Sequence, residues 1–104
     1  QKTAYEIRLS LVGSEMCIRD SYCATKAALN ALVQATAEEV KGFDIDINAV
    51  LPTIIDTPPN RKDMPKADTS KWVTPAALAE VIFSLTQPGM RPINGALIPV
   101  SGRL

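Results

Sequence analysis

The stretch TKAALNALVQATAEEVKGFDIDINAVL, residues 25–51, decides the fold, because a helical pattern gives way in it to a strand pattern. Apolar side chains recur there at three- and four-residue steps, which predicts an amphipathic helix over Thr25–Lys41. Gly42 follows at the position where a helix C-terminal cap is expected. Ile45–Leu51 is apolar enough at its end to predict a buried strand. Pro52 is expected to end this strand, because proline cannot donate to a sheet ladder.

A second helix and a second strand follow after a long polar segment. Residues 53–72 predict a proline-punctuated loop, and loops of this length are often functional lids. Residues 74–85 predict a helix, with a threonine N-cap and a proline at the first helical position. A glutamine, proline and glycine then break it, and Gly95–Val100 predicts the last strand. The order helix, strand, lid loop, helix, strand therefore predicts an α/β crossover with a parallel strand pair.

Composition and charge exclude several classes of protein. The chain has 104 residues, with 11 basic and 11 acidic side chains, so nothing indicates a nucleic-acid or membrane surface. It has no histidine, which excludes His-based triads and most catalytic zinc sites, and we expect no metal. Cys23 is the one cysteine outside residues 1–21. A single thiol of this kind fits a reducing compartment, so we expect a cytoplasmic protein.

The first 21 residues indicate a different origin from the rest. Met16–Ser21 is what the string ATGTGTATAAGAGACAG encodes when one further base follows it, and that string resembles the transposase-adapter end of sequencing libraries. Most residues upstream of it match the remainder of such an adapter. We therefore expect residues 1–21 to be a non-native leader and residues 22–104 to be the native part. The alternative is a genuine strand over Glu6–Gly13, where apolar and polar residues alternate weakly.

Tyr22 and Lys26 stand four residues apart at the expected start of the first native helix. Residues at this spacing lie on the same helical face, so the phenol and the ammonium can point into one cleft. A neighbouring ammonium favours the phenolate. A tyrosine tuned in this way can exchange a proton with a substrate oxygen while hydride moves to the adjacent carbon. Taken alone, the pair favours a simpler alternative, a solvated lysine beside a half-buried tyrosine.

Three segments, Tyr22–Leu29, Ile47–Pro52 and Asn94–Gly102, together resemble the C-terminal half of the short-chain dehydrogenase/reductase family. The loop between Leu51 and Trp72 is most similar to dihydropteridine reductase-like members of that family. The resemblance implies an α/β fold, here the C-terminal fragment of a Rossmann-like doubly wound parallel sheet. It covers essentially all of residues 22–104.

The resemblance also implies roles for five residues and a nicotinamide cofactor, NAD or NADP. Tyr22 would be the proton donor or acceptor, and Lys26 would contact the cofactor ribose and tune the tyrosine. Pro52 would lie under the nicotinamide ring. Ile55 would offer backbone groups to the carboxamide, and Thr57 would offer its hydroxyl to the pyrophosphate.

The lid and the glycine-rich motifs show where the chain agrees with the family and where it departs from it. Residues 58–72 would form the substrate lid. Arg61 and Lys62 on it could meet an anionic group, although a solvated charge pair is the simpler expectation for them. Thr53 stands where the family commonly has glycine, so the backbone is less free there. The chain contains no glycine-rich pyrophosphate loop and no catalytic serine that we assign.

The resemblance predicts that the parent protein is an NAD(P)-dependent oxidoreductase, acting on a pterin-like or carbonyl substrate through a Tyr/Lys acid–base pair. One alternative is a 3-oxoacyl carrier-protein reductase or another ketone reductase. A second alternative, for the chain as it stands, is a truncated, non-catalytic fragment. The expected partners are a small-molecule substrate and, for the parent, further copies of itself, with no nucleic acid and no membrane.

Overall fold

The structure is a computed structural model that describes the backbone of residues 4–103 and the side chains of residues 18–103. Two compact units divide the chain, residues 1–32 and 33–104, and the first helix contributes to both. The helices and strands are α1 (Ala4–Val40), β1 (Ala49–Pro52), α2 (Pro58–Asp63), α3 (Pro75–Leu85) and β2 (Leu97–Val100). Short 3-10 turns lie at Lys41–Phe43, Thr69–Lys71 and Pro88–Met90.

Helix α1 begins much earlier than the sequence predicts. It runs unbroken through Tyr22, so the prediction that this residue lies at a helix start is wrong. The alternative strand at Glu6–Gly13 is wrong for the same reason. Residues 4–21 contain no proline and a single glycine, so nothing in them strongly opposes the helix. The adapter origin of residues 1–21, and with it the division at residue 22, stays a prediction.

The end of α1 differs in detail from the predicted cap. The helix ends at Val40, and the chain continues through Gly42 in a 3-10 turn. The residue in the left-handed conformation is Asp44, with φ of 60°, so the prediction of a cap at Gly42 is wrong. Aspartate tolerates this conformation better than most residues, because its short polar side chain can bond locally. Here that side chain pairs with Arg91.

The two strands form a parallel pair, as predicted. Ala49 lies opposite Leu97, and Pro52 lies opposite Val100. Both strands are shorter than predicted. The segment before β1 is held by one side-chain bond and one backbone bond. The Ile47 N–H donates to Asn94 Oδ1 at 2.9 Å, and the Ile47 carbonyl accepts from the Gly95 N–H at 2.8 Å.

The loop predicted over residues 53–72 contains more structure than expected. It includes α2, the 3-10 turn at Thr69–Lys71, and a parallel bridge between Ile55 and Val73. The predicted start of α3 is confirmed, because Thr74 Oγ accepts a hydrogen bond from the Ala77 N–H at 3.1 Å. Residues 53–72 therefore contain a short helix capped by Thr57 and a 3-10 turn capped by Asp68, and the chain then returns to the sheet.

The buried apolar side chains within residues 18–103 are few. They are Ala37, Trp72 and Val73, each less than 7% exposed. Trp72 and Val73 lie between the 3-10 turn and the N-cap of α3, and Val73 is the residue that pairs with Ile55. Two of the three buried side chains therefore belong to the segment that contacts Ile55.

Candidate active site

The carboxyl ends of β1 and β2 meet at one edge of the sheet. Pro52 is half-buried there, opposite Val100. The Thr53 N–H donates to the Val100 carbonyl at 3.2 Å, and Thr53 Oγ donates to the Ser101 carbonyl at 3.1 Å. In open α/β sheets, ligands bind outside the carboxyl ends of the strands. Thr53 therefore connects the two strand ends through both its backbone and its side chain.

A close backbone approach brings the lid segment onto the end of β2. Gly102 has φ of 65°, and a Cβ at this position would lie 2.6 Å from the Lys71 carbonyl oxygen. The same oxygen accepts a hydrogen bond from the Arg103 N–H at 3.0 Å. Only glycine combines this conformation with this distance at no steric cost. The turn after β2 therefore fixes the position of Trp72 and Val73.

Val73 in turn fixes the orientation of the backbone at Ile55. The Val73 N–H donates to the Ile54 carbonyl at 3.0 Å, and the Asp56 N–H donates to the Val73 carbonyl at 2.7 Å. In this parallel pattern the N–H and C=O of Ile55 itself face away from Val73. The Ile55 carbonyl accepts a hydrogen bond from Asn60 Nδ2 at 2.7 Å. Within residues 33–103, the Ile55 N–H donates to no acceptor.

Thr57 stands two residues further along and caps α2. Its backbone is extended, with φ of −129°, and its Oγ accepts from the Asn60 N–H at 3.4 Å. A hydroxyl that accepts one bond can still donate its own proton. Ile55 and Thr57 therefore offer an N–H and an O–H close together in the chain, next to the carboxyl end of β1.

An ion pair between Asp56 and Arg61 joins the residue before Thr57 to the α2 helix that Thr57 caps. Arg61 Nε lies 2.5 Å from Asp56 Oδ1, and Arg61 Nη2 lies 2.8 Å from Oδ2, which makes the contact bidentate. The hydrogen bonds from Arg61 hold the pKa of the Asp56 carboxyl below its ordinary value. The same contact raises the pKa of the Arg61 guanidinium. Arg61 is thus bonded to a specific partner, which the sequence did not predict, while its side chain stays 56% exposed as expected for a solvated charge.

Tyr22 and Lys26 lie together on α1, within the first unit. Lys26 Nζ is 5.6 Å from the centre of the Tyr22 ring, a distance typical of a cation–π contact. The tyrosine is 62% exposed. The structure therefore brings Tyr22 and Lys26 together in one unit, and Pro52, Ile55 and Thr57 together in the other.

Sequence reasoning missed the contacts that hold the Ile55–Thr57 segment. It assigned no role to Asn60 and did not pair Asp56 with Arg61. An acidic and a basic residue five positions apart carry little signal, because their contact depends on the turn at Thr57. The threonine before two prolines was the available signal for a capped helix there.

A shallow cavity of about 310 Å³ lies elsewhere in the second unit, on the α3 side of β1. Its polar groups already have partners in the chain. Asp46 Oδ2 lies 2.8 Å from Arg91 Nε, and Asn48 bonds the backbone of residues 93 and 96. We therefore place no site there. The lining residues are Asp46, Asn48, Val50, Ile82, Leu85 and Thr86.

Neither a metal cluster nor a membrane span is found in the part of the chain that the structure describes. Within it, no three histidine, cysteine, aspartate or glutamate side chains come together as they would around a metal ion. None of its helices has both the length and the apolar character needed to cross a membrane.

Comparison with known proteins identifies the family. A family model described as enoyl-(acyl carrier protein) reductase matches residues 2–102. The chain belongs to this short-chain dehydrogenase/reductase family. The resemblance noted in the sequence is thereby confirmed, and so is the Rossmann-like α/β fold class.

Three short-chain reductases illustrate the similarity. Dihydropteridine reductase of Dictyostelium discoideum is 36% identical over 81 residues, which cover 75% of this chain and 35% of that protein. The 3-oxoacyl-[acyl-carrier-protein] reductase FabG of Pseudomonas aeruginosa is 33% identical over 91 residues, covering 79% of this chain and 36% of that protein. A solved 3-oxoacyl-[acyl-carrier protein] reductase from Brucella melitensis, with bound NAD, is 30% identical with a TM-score of 0.66. That match covers 80% of this chain and 32% of the solved one.

The chain spans about a third of the length of the curated relatives that it matches. The activity of such relatives belongs to proteins of their full length. Any activity is therefore a proposal about the full-length protein that contains this chain.

Proposed function

We propose that the full-length protein is an NAD(P)-dependent oxidoreductase in which Tyr22 and Lys26 form the acid–base pair. The observation that carries this proposal is the contact between them, with Lys26 Nζ 5.6 Å from the Tyr22 ring centre in a chain of the short-chain reductase family. Tyr22 is 62% exposed, which leaves its side chain open to a ligand, and the Lys26 ammonium lies beside its ring.

The chemistry assigned to the chain is a single proton transfer. The hydride for the substrate carbon would come from a reduced nicotinamide when one is bound. Tyr22 donates its phenolic proton to the substrate oxygen or nitrogen, so a C=O or C=N group becomes CH–OH or CH–NH. Lys26 stabilises the resulting phenolate electrostatically until solvent returns the proton. In the opposite direction the phenolate accepts the proton.

The backbone beside β1 fits the nicotinamide end of such a cofactor. The Ile55 N–H, which donates to no acceptor within residues 33–103, suits a carboxamide oxygen. Pro52 would offer its ring as an apolar surface under the nicotinamide. The Thr57 hydroxyl would donate to the pyrophosphate, and Lys26 would bond the ribose hydroxyls.

For the substrate, we propose a pterin-like C=N group first and a carbonyl second. The 36% identity to a dihydropteridine reductase supports the first. The 33% identity to a 3-oxoacyl-[acyl-carrier-protein] reductase supports the alternative, a ketone reductase. We propose that residues 58–72 form the substrate lid, since they connect the cofactor segment to α3. A cytoplasmic location and self-association of the parent remain part of the same proposal.

The test is a pair of substrates offered to the full-length protein. Oxidation of NADH and of NADPH is followed with quinonoid dihydropterin and with a 3-oxoacyl thioester. Turnover of the pterin alone supports the first substrate class, and turnover of the thioester alone supports the alternative. If the protein neither binds nor oxidises either cofactor, the oxidoreductase proposal is wrong.

A lysine pair tests the role of Lys26 within the same assay. Lys26→Met is expected to lower turnover by about a hundredfold or more, because it removes the charge that supports proton transfer by Tyr22. Lys41→Met is the matched control, because Lys41 pairs only with Glu38 among the described side chains. Equal turnover in the two variants would exclude Lys26 from the mechanism.

A further inference from the structure

Asn60 contacts both Ile55 and Thr57, two of the residues that we assign to the cofactor. Its Nδ2 donates to the Ile55 carbonyl at 2.7 Å, and its backbone N–H donates to Thr57 Oγ at 3.4 Å. Its own carbonyl accepts from the Met64 N–H at 3.0 Å, which ends α2. Asn60 is half-buried, so these bonds are partly shielded from water.

The bond to Ile55 fixes one peptide unit at both of its polar groups. In the peptide between Ile55 and Asp56, the N–H of Asp56 donates to the Val73 carbonyl at 2.7 Å. The C=O of the same peptide, that of Ile55, accepts a hydrogen bond from Asn60 Nδ2, also at 2.7 Å. A peptide held at both ends cannot rotate without breaking a bond. The Ile55 N–H belongs to the preceding peptide, whose C=O, that of Ile54, accepts the Val73 N–H at 3.0 Å. The peptides on both sides of Ile55 are therefore held, and Asn60 restricts the rotation between them that would change the direction of the Ile55 N–H.

The neighbouring contacts hold Asn60 itself in place. The Arg61 N–H donates to the Thr57 carbonyl at 2.9 Å, and the Arg61 guanidinium donates two hydrogen bonds to the Asp56 carboxylate. The first turn of α2 is therefore anchored to the segment before it. Asn60 projects from this anchored turn back to Ile55, five residues earlier.

We infer that Asn60 is a positioning residue for the nicotinamide end of the site. Its amide holds the Ile55 backbone so that the Ile55 N–H meets the carboxamide in one orientation. Only a donor can do this, because a carboxylate in the same place would set an oxygen against the Ile55 carbonyl. This inference rests on the proposed function and adds a residue to that site.

The experiment compares two ligands in the full-length protein. NADH carries the nicotinamide ring, whereas ADP-ribose contains the rest of the cofactor and lacks that ring. Asn60→Asp, which is isosteric and loses the donor, is expected to weaken NADH binding about tenfold, as loss of one well-placed hydrogen bond does. ADP-ribose binding should change less than about threefold. Asn60→Ala removes the donor without adding charge and is expected to behave in the same way.

The matched control is Asn48→Asp. Asn48 is also half-buried, and its Nδ2 also donates to a backbone carbonyl, that of Ile93 at 3.0 Å. This variant should lower the unfolding temperature and leave the binding of both ligands unchanged. Equal loss of NADH and ADP-ribose binding in the Asn60 variants, or no loss of either, would overturn the positioning role while the proposed function stands. Absence of NADH and NADPH binding in the wild type would refute the proposed function and this inference together.

Discussion

Replacement of Gly102 by alanine is the most direct perturbation of the contacts that shape the site. The new Cβ would lie 2.6 Å from the Lys71 carbonyl oxygen and 3.3 Å from Val73 Cγ2. The Lys71 oxygen already accepts the Arg103 N–H at 3.0 Å, so it cannot move away without weakening that bond. An L side chain in the left-handed region costs about 1–2 kcal/mol. Overpacking adds about 1–3 kcal/mol, so we expect a loss of roughly 2–5 kcal/mol of unfolding free energy.

The matched control is Gly89→Ala. Gly89 lies in the 3-10 turn Pro88–Met90, and a Cβ there would meet nothing within 4 Å. Its effect should stay within about 0.5 kcal/mol, as for most surface substitutions. The assay is chemical unfolding of the full-length variants, followed by circular dichroism. Coincident unfolding curves for Gly102→Ala and Gly89→Ala would refute the reasoning, because they would mean that the Lys71 approach imposes no constraint.

Three further predictions use other contacts of the structure. Asp56→Asn should lower the unfolding free energy of the full-length protein at neutral pH. Because the folded pKa of Asp56 is depressed by Arg61, this contribution is present above the unfolded pKa of about 3.9 and is lost as the pH falls through the folded value. The wild type and the variant should therefore converge below about pH 4, and parallel pH profiles would exclude the pair as the cause. Arg91→Gln removes exposed contacts to Asp44 and Asp46 and should cost less than about 1 kcal/mol, with less effect at high salt; a larger, salt-independent loss in urea unfolding would contradict this. The 104-residue chain on its own should show weak or no cooperative thermal unfolding, since the buried apolar side chains within residues 18–103 are three; a sharp calorimetric transition would be the opposite result.

Local signals in the sequence predicted the parts of the fold that local physics controls. The threonine N-cap and proline that begin α3 are confirmed, and the apolar periodicity of residues 25–40 falls within α1. The parallel pairing followed from the order of elements, since a helix connects the two strands. The pattern also placed Tyr22 and Lys26 on one helical face, where the structure brings them into contact.

The parts that the sequence did not predict depend on tertiary contacts. The left-handed turn falls on Asp44 because the chain continues in a 3-10 turn through Gly42. The bond from Asn60 to Ile55 depends on the path of the chain through the cap at Thr57, which no short-range pattern encodes. The early start of α1 was missed because residues 1–21 were assigned to another origin and left out of the fold.

The measurement that tests the central claim most directly is steady-state turnover of full-length Tyr22→Phe beside the wild type. It is combined with the dissociation constant for the preferred nicotinamide cofactor. Removal of the phenolic hydroxyl takes away the proton donor and leaves the ring that Lys26 contacts. We expect kcat to fall by about a hundredfold or more, while the cofactor dissociation constant stays within about threefold of the wild type. Unchanged kcat in Tyr22→Phe would contradict the acid–base role of Tyr22 and with it the mechanism proposed for this protein.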